Sequence, residues 1–107
     1  MKYKTITIDC NGMTTTGLNQ RMKDLLGFPD FYGMNWDAMI DCLSYMRSPE
    51  AGMSKITLEH DEMLIVNCKH LAKAEFDVRS FVNVIEAVNE REILYGGISQ
   101  ILLHPIL

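Results

Sequence analysis

The sequence predicts an α/β fold in which a mostly parallel sheet of three or four strands packs against helices. Apolar and polar residues alternate from Lys2 to Cys10, as in a strand with one buried face. Later segments carry apolar residues at helical spacing. The predicted order is strand, helix, helix, strand, helix, strand, and strands that alternate with helices usually pair in parallel.

The first strand is predicted to place Ile6, Ile8 and Cys10 on its buried face and to break at Asn11-Gly12. A helix should follow, because the threonines at positions 14–16 can accept hydrogen bonds from its free N–H groups. Gly27 and Pro29 favour its end. The apolar residues of this first helix share one stripe: Leu18, Met22, Leu25 and Leu26.

A second helix is predicted from an N-cap at Asn35 to about Tyr45. At 100° per residue its polar side carries Asp37, Asp41 and Ser44. The opposite side is apolar and is formed by Trp36, Met39, Ile40 and Leu43. Trp36 is therefore expected in the core rather than at a contact surface.

Two further strands are predicted at 55–59 and 63–67, after a loop from Arg47 to Ser54. The second of them begins with the continuous apolar run 63–66, which is typical of a strand covered on both faces. The two predicted strands would be joined across residues 60–62.

The last third of the chain is predicted to form a helix, a turn and a strand. Asp77 can cap the helix, Gly96-Gly97 form the turn, and residues 98–103 form the final strand. The apolar stripe of the helix is Val78, Phe81, Val82, Ile85 and Val88.

Composition limits the function classes. The chain has 107 residues, 48 % of them hydrophobic and 22 % charged, which suits one compact domain spanning residues 1–107. No apolar run approaches the ~20 residues of a membrane span, and no signal peptide is visible, so we expect a cytoplasmic protein without a membrane partner. A net charge of −4 disfavours direct binding to nucleic acid.

The sequence offers little for catalysis, and we predict a protein that is not an enzyme. The histidines do not follow a metal-binding spacing, and neither a metal nor another cofactor is expected. A hydrolase with Cys42 as nucleophile is a third hypothesis, but Cys42 lies inside a predicted helix, whereas helix N-termini are where thiolates are stabilised. The usual alternative is a packed, inert thiol.

The most informative segment is acidic. Between Asp24 and Met46 the chain carries four aspartates and neither lysine nor arginine. Asp37 and Asp41 repel each other at i, i+4 on one helix face, which destabilises a helix by about 0.2–0.5 kcal/mol. The face is either simply solvated or an anionic patch for a basic partner. Beside it, either Phe31 or Tyr32 could anchor the loop to the core while the other contacts a partner.

The segment around this helix resembles the barstar family. The residues that carry the resemblance are Pro29, Tyr32, Gly33, Asn35, Asp37, Ala38, Asp41, Cys42 and Leu43, within a close match from Leu25 to Tyr45. The resemblance implies a small three-layer fold with a parallel sheet. It also implies a bacterial immunity protein that blocks a cognate basic ribonuclease toxin in a 1:1 complex.

The resemblance also implies the contact residues, which are Phe31, Tyr32, Asn35, Asp37, Ile40, Asp41, Met46 and, on the last helix, Glu86 or its competitor Glu90. Asp41 would occupy the place of the scissile phosphate, facing the cations of the enzyme. This interpretation requires Asp41 to project outward and not to be held by an internal arginine.

The chain departs from the family pattern in places. Ile40 and Met46 stand where tryptophans are expected, Phe31 replaces a tyrosine, and the segment 47–62 is longer than in the shortest members. These differences suggest a different ribonuclease partner. They also leave a second hypothesis open, an interaction domain of the same fold that binds a partner other than a nuclease.

Overall fold

The computed structural model describes residues 1–106 and contains three strands and three α-helices. In chain order the elements are β1 (Lys2–Asp9), α1 (Thr15–Leu26), α2 (Trp36–Ser44), β2 (Glu62–Lys69), α3 (Val78–Leu94) and β3 (Ile101–Ile106). Short 3₁₀ turns lie at Pro49–Ala51 and Leu71–Lys73. The predicted α/β class is confirmed.

The sheet has the order β1-β2-β3, and both strand pairs are parallel. Ile6 pairs with Val66, and Val66 pairs with Leu103 on its other side. β3 is thus an edge strand, which is why it accommodates Pro105, a residue without a backbone N–H. The predicted strand 98–103 began too early, because the carbonyls of Ile98 and Ser99 accept hydrogen bonds from Arg47.

The predicted N-caps are correct for all three helices. The side chains of Thr14, Asn35 and Asp77 accept backbone hydrogen bonds from the first turns of α1, α2 and α3. Gly27 ends α1 with φ 68°, and a Cβ at this position would lie 2.7 Å from Lys55 side-chain atoms. Local sequence therefore determines where each helix begins and, for α1, where it ends.

The prediction that residues 55–59 form a strand is wrong. The backbone N–H groups of Lys55 and Ile56 donate to the carbonyl of Leu26, and that of Leu58 donates to Met46. The acceptors are backbone carbonyls at the end of α1 and just after α2, so the segment does not pair with the sheet. Its apolar residues serve packing instead, since Leu58 is 5 % exposed.

The prediction that β2 is covered on both faces is also wrong. Leu64, Val66 and Cys68 are fully buried beneath the helices, whereas the alternate residues Met63 and Ile65 are only partly buried. On the same open face, Tyr3 of β1 is 53 % and Leu102 of β3 is 48 % exposed. The core thus lies between the helices and one face of the sheet.

α2 is held against α3 by its buried residues Met39, Cys42 and Leu43. The opposite face of α2, which carries Asp37 and Asp41, is exposed. The core therefore fixes the direction in which the acidic residues project. Phe81, Val84 and Val88 of α3 form the matching buried face.

Candidate protein-binding site

The loop before α2 is fixed by Tyr32. Its ring lies 4.9 Å from that of Phe28, and its hydroxyl donates a hydrogen bond to the buried Asn19 of α1. Tyr32 is only 5 % exposed, and burial raises the pKa of its hydroxyl. Phe31 is 75 % exposed. Tyr32 is therefore the residue that anchors the loop, and the ring of Phe31 is accessible at the surface.

Asn35 connects this loop to the helix. Its Oδ1 accepts a hydrogen bond of 2.8 Å from the backbone of Ala38, and its Nδ2 donates to the carbonyl of Gly33 at 3.2 Å. Met34, just before it, has a left-handed φ of 55°, a conformation that costs a residue with a side chain about 1 kcal/mol or more. Both amide atoms of Asn35 are used internally, so this residue positions α2.

Asp41 and Phe31 lie at the same depression of the surface. A shallow hollow of about 280 Å³ is lined by residues of the loop, of α2 and of the segment after it: Phe31, Tyr32, Gly33, Ala38, Asp41, Cys42 and Met53. The fold thus brings an exposed aromatic ring and a carboxylate together, a combination that protein interfaces use as an anchor.

Asp37 stands one turn earlier on α2. Its carboxylate makes no hydrogen bond or ion pair with the residues that the structure describes, and it lies in the first turn, where the helix dipole favours a negative charge. With Trp36 and Ile40 it lines a second shallow groove, whose other wall is Ser80, Asn83 and Val84 of α3. Ile40 is partly accessible there, so α3 forms one edge of the candidate surface.

Asp41 is exposed but has one partner. Its Oδ1 lies 3.3 Å from Nη1 of Arg91 on α3, and the two side chains are 58 % and 51 % exposed. The Oδ2 atom makes no hydrogen bond within residues 1–106. Asp41 therefore projects outward, and the arginine that holds it lies at the surface rather than inside the protein.

The expected contact through Met46 is wrong for this structure. Met46 is completely buried and belongs to the core, because it follows the C-terminal end of α2 and its carbonyl binds the N–H group of Leu58. No atom of its side chain is available to a partner. An apolar residue that the resemblance implied as a contact thus serves packing in this chain.

On α3, Glu86 and Glu90 are both exposed, and neither carboxylate is bonded to a described residue. Asn83 and Arg91 mark the side of α3 that faces α2, because Asn83 lines a groove with α2 residues and Arg91 contacts Asp41. Ala87 lies midway between them along this side of the helix. At 100° per residue, Glu90 is about 60° and Glu86 about 100° round the helix from Ala87. Glu90 is thus nearer the candidate surface, and the α3 residue that reaches Asp41 is Arg91.

Cys42 does not have the environment of a nucleophile. The side chain is 2 % exposed, and burial together with the charge of Asp41 raises the pKa of its thiol to about 11. The thiol is therefore protonated at neutral pH. The other cysteines, Cys10 and Cys68, are buried as well, and burial raises the pKa of each.

We expect iodoacetamide to leave Cys42 unmodified in the folded protein at neutral pH, because the reagent needs an accessible thiolate. Mass spectrometry after a timed reaction checks this, with the denatured protein as the control in which all three cysteines react. Rapid alkylation of Cys42 before unfolding would restore the hydrolase hypothesis.

Metal clusters and membrane-spanning helices are not found among the described residues. Within residues 1–106, His, Cys, Asp and Glu side chains form no group of three or more that could hold a metal ion. In the same part of the chain, none of the helices combines the length and apolar content needed to cross a membrane. The acidic face of α2 with its loop remains the strongest candidate.

Comparison with protein families finds a match over most of the chain. Residues 3–96 match the family model described as Barstar (barnase inhibitor), which covers most of the chain. The chain belongs to the barstar family. This family consists of ribonuclease inhibitors rather than enzymes. A search of curated proteins finds no match.

Sequence reasoning missed Arg91 as a residue of this surface. It lies fifty positions after Asp41, and nothing in the local pattern of α3 shows that it reaches α2. The charge distribution did offer a signal. The acidic segment 24–46 contains neither lysine nor arginine, so a cation that pairs with its aspartates must come from another part of the chain.

Proposed function

We propose that this barstar-family protein is a stoichiometric inhibitor of a barnase-type ribonuclease and blocks the active site with α2 and the preceding loop. The observation that carries the proposal is the outward-facing carboxylate of Asp41, fixed on a rigid helix beside the exposed ring of Phe31. A ribonuclease site must be cationic to stabilise a phosphodiester in its transition state. A carboxylate offers the same cations charge-assisted hydrogen bonds.

The contact with Arg91 is compatible with this role. An exposed ion pair stabilises by about 0.2–1 kcal/mol. Hydrogen bonds to charged groups contribute about 1.5–3 kcal/mol each, so a partner site with several cations can compete successfully for Asp41. Asp37 adds a second negative charge and is free to bind, since no described residue pairs with it.

In the proposed complex Phe31 packs on the enzyme, Asp41 and Asp37 bind its cations, and Ile40 fills the groove toward α3. Tyr32 and Asn35 hold the loop and the start of α2 in position from within the inhibitor. Glu90, rather than Glu86, is the better placed acidic residue of α3. We further propose that the partner is a toxin domain and that this protein provides immunity in the bacterial cytoplasm.

Titration against barnase tests the proposal. Hydrolysis of a fluorogenic RNA substrate by a fixed amount of barnase should fall linearly and reach zero at one inhibitor per enzyme. Opposite charges accelerate association and salt screens them, so complex formation should slow as salt is raised. Undiminished hydrolysis in a large excess of the protein would contradict the proposal.

A further inference from the structure

Arg91 is held across the gap between α3 and α2 by two contacts. Its Nη1 lies 3.3 Å from Oδ1 of Asp41 and 3.2 Å from Oγ of Ser44. The Ser44 hydroxyl donates its own proton to the carbonyl of Ile40 at 2.6 Å, so its oxygen is oriented to accept. The guanidinium is therefore held beside Asp41 by the neutral hydroxyl of Ser44 as well as by attraction to the carboxylate.

The acidic residues near this pair differ in whether they already have a cationic partner. Of the acidic residues next to Arg91 in the sequence, Glu92 is already paired with Arg47 at 3.2 Å, and Glu90 has no bonded partner in the described chain. On α2, Asp37 also has none. Arg91 thus neutralises Asp41, the carboxylate on which the proposed function depends most.

We propose that Arg91 competes intramolecularly with the partner for Asp41 and is a specificity-determining residue of the inhibitor. This inference depends on the proposed function. A partner that binds Asp41 through both carboxylate oxygens must displace Arg91 from Oδ1. A single exposed ammonium offers Asp41 no more than Arg91 already does, whereas clustered guanidinium groups in a desolvated site offer several charge-assisted hydrogen bonds.

The displaced arginine also acts on the partner. Ser44 can retain the Arg91 guanidinium after Asp41 has changed partner, which leaves a positive charge at the edge of the interface. Like charges that face each other across an interface disfavour binding. The preferred partner is therefore a ribonuclease with cations concentrated at the catalytic centre and not spread over the surrounding surface.

The test compares Arg91→Gln with Arg79→Gln, using barnase as the probe. Arg79 is an exposed arginine in the first turn of the same helix and makes no ion pair with the described residues. Because each variant replaces one arginine by glutamine, the two have the same net charge. Removal of the exposed pair should tighten barnase binding by about 2- to 5-fold in Arg91→Gln, mainly through faster association. Arg79→Gln should stay within about 2-fold of the original protein.

A double variant separates competition from a general charge effect. In an Asp41→Asn background, Arg91→Gln should tighten binding less than it does alone, because the carboxylate that it released is gone and only the repulsion by the Arg91 charge is removed. Arg91→Lys keeps the charge and should bind barnase as the original protein does. Thermal unfolding of each variant checks that the fold is retained.

The outcomes distinguish this inference from the proposed function. If the original protein inhibits barnase and Arg91→Gln binds no more tightly than Arg79→Gln, the competition is overturned and the proposed function stands. The same holds if the gain from Arg91→Gln is as large in the Asp41→Asn background as in the original protein. If neither the original protein nor any variant inhibits barnase, both the function and the competition are overturned.

Discussion

Replacement of Asp41 by alanine is expected to weaken inhibition of barnase more than any other single change on the acidic face. Loss of one partner of a buried interfacial charge pair costs about 2–5 kcal/mol, which corresponds to a dissociation constant larger by about 30- to 5000-fold. Much of this cost arises because the enzyme's cations stay buried without a partner. Inhibition titrations at nanomolar enzyme, or dissociation rates from stopped flow, measure the change.

Asp61→Ala is the matched control for this experiment. Asp61 is also an exposed aspartate in an exposed ion pair, with Lys2 at 3.5 Å, and its side chain is 64 % exposed against 58 % for Asp41. It precedes β2 and does not belong to α2 or its loop. Glu59→Ala, which removes another acidic partner of Lys2, serves as a second control. Equal inhibition by the Asp41 and Asp61 variants would mean that Asp41 is not at the interface.

Local signals predicted the helices well. A cap residue and its acceptor lie within three positions of each other, as Asn35 and Ala38 do, so the sequence contains both partners. The register of an acidic face follows from the same local geometry, and Asp37 and Asp41 are exposed as expected. Family membership was equally accessible, because its motif is confined to the loop and α2.

Long-range contacts could not be predicted in the same way. Residues 55–59 have the composition of a strand, but their backbone donors bind carbonyls of Leu26 and Met46. Met46 is an apolar residue that the resemblance implied as a contact, and only the packing around it decides whether it faces the core or a partner. The pairing of Asp41 with Arg91 depends on how α3 crosses α2, which no pattern within either helix specifies.

The least predictable feature is Arg47, a charged residue in a predicted loop whose side chain is only 5 % exposed. Its guanidinium donates hydrogen bonds to four backbone carbonyls, those of Glu59, Glu62, Ile98 and Ser99. It also pairs with the carboxylate of Glu92. A single side chain thus ties the end of α2 to the segments that lead into β2 and β3 and to α3.

Replacement of Arg47 by alanine is expected to lower the free energy of unfolding by about 2–4 kcal/mol, because several carbonyls lose their buried donor and the partly buried carboxylate of Glu92 loses its cation. Arg47→Lys should recover little of this loss, since an ammonium cannot reproduce the planar set of donors. Urea unfolding followed by the fluorescence of Trp36, the single tryptophan, measures the effect.

Arg79→Ala, at an exposed position of α3, provides the control and should change the free energy of unfolding by no more than about 0.5 kcal/mol. Because Arg47 does not lie on the acidic face, the folded fraction of its variants should still inhibit barnase. A loss of inhibition in a fully folded Arg47 variant would show that the network sets the position of α2 itself. A loss of stability no greater than that of Arg79→Ala would show that the carbonyls find other donors, and that Arg47 does not hold these segments together.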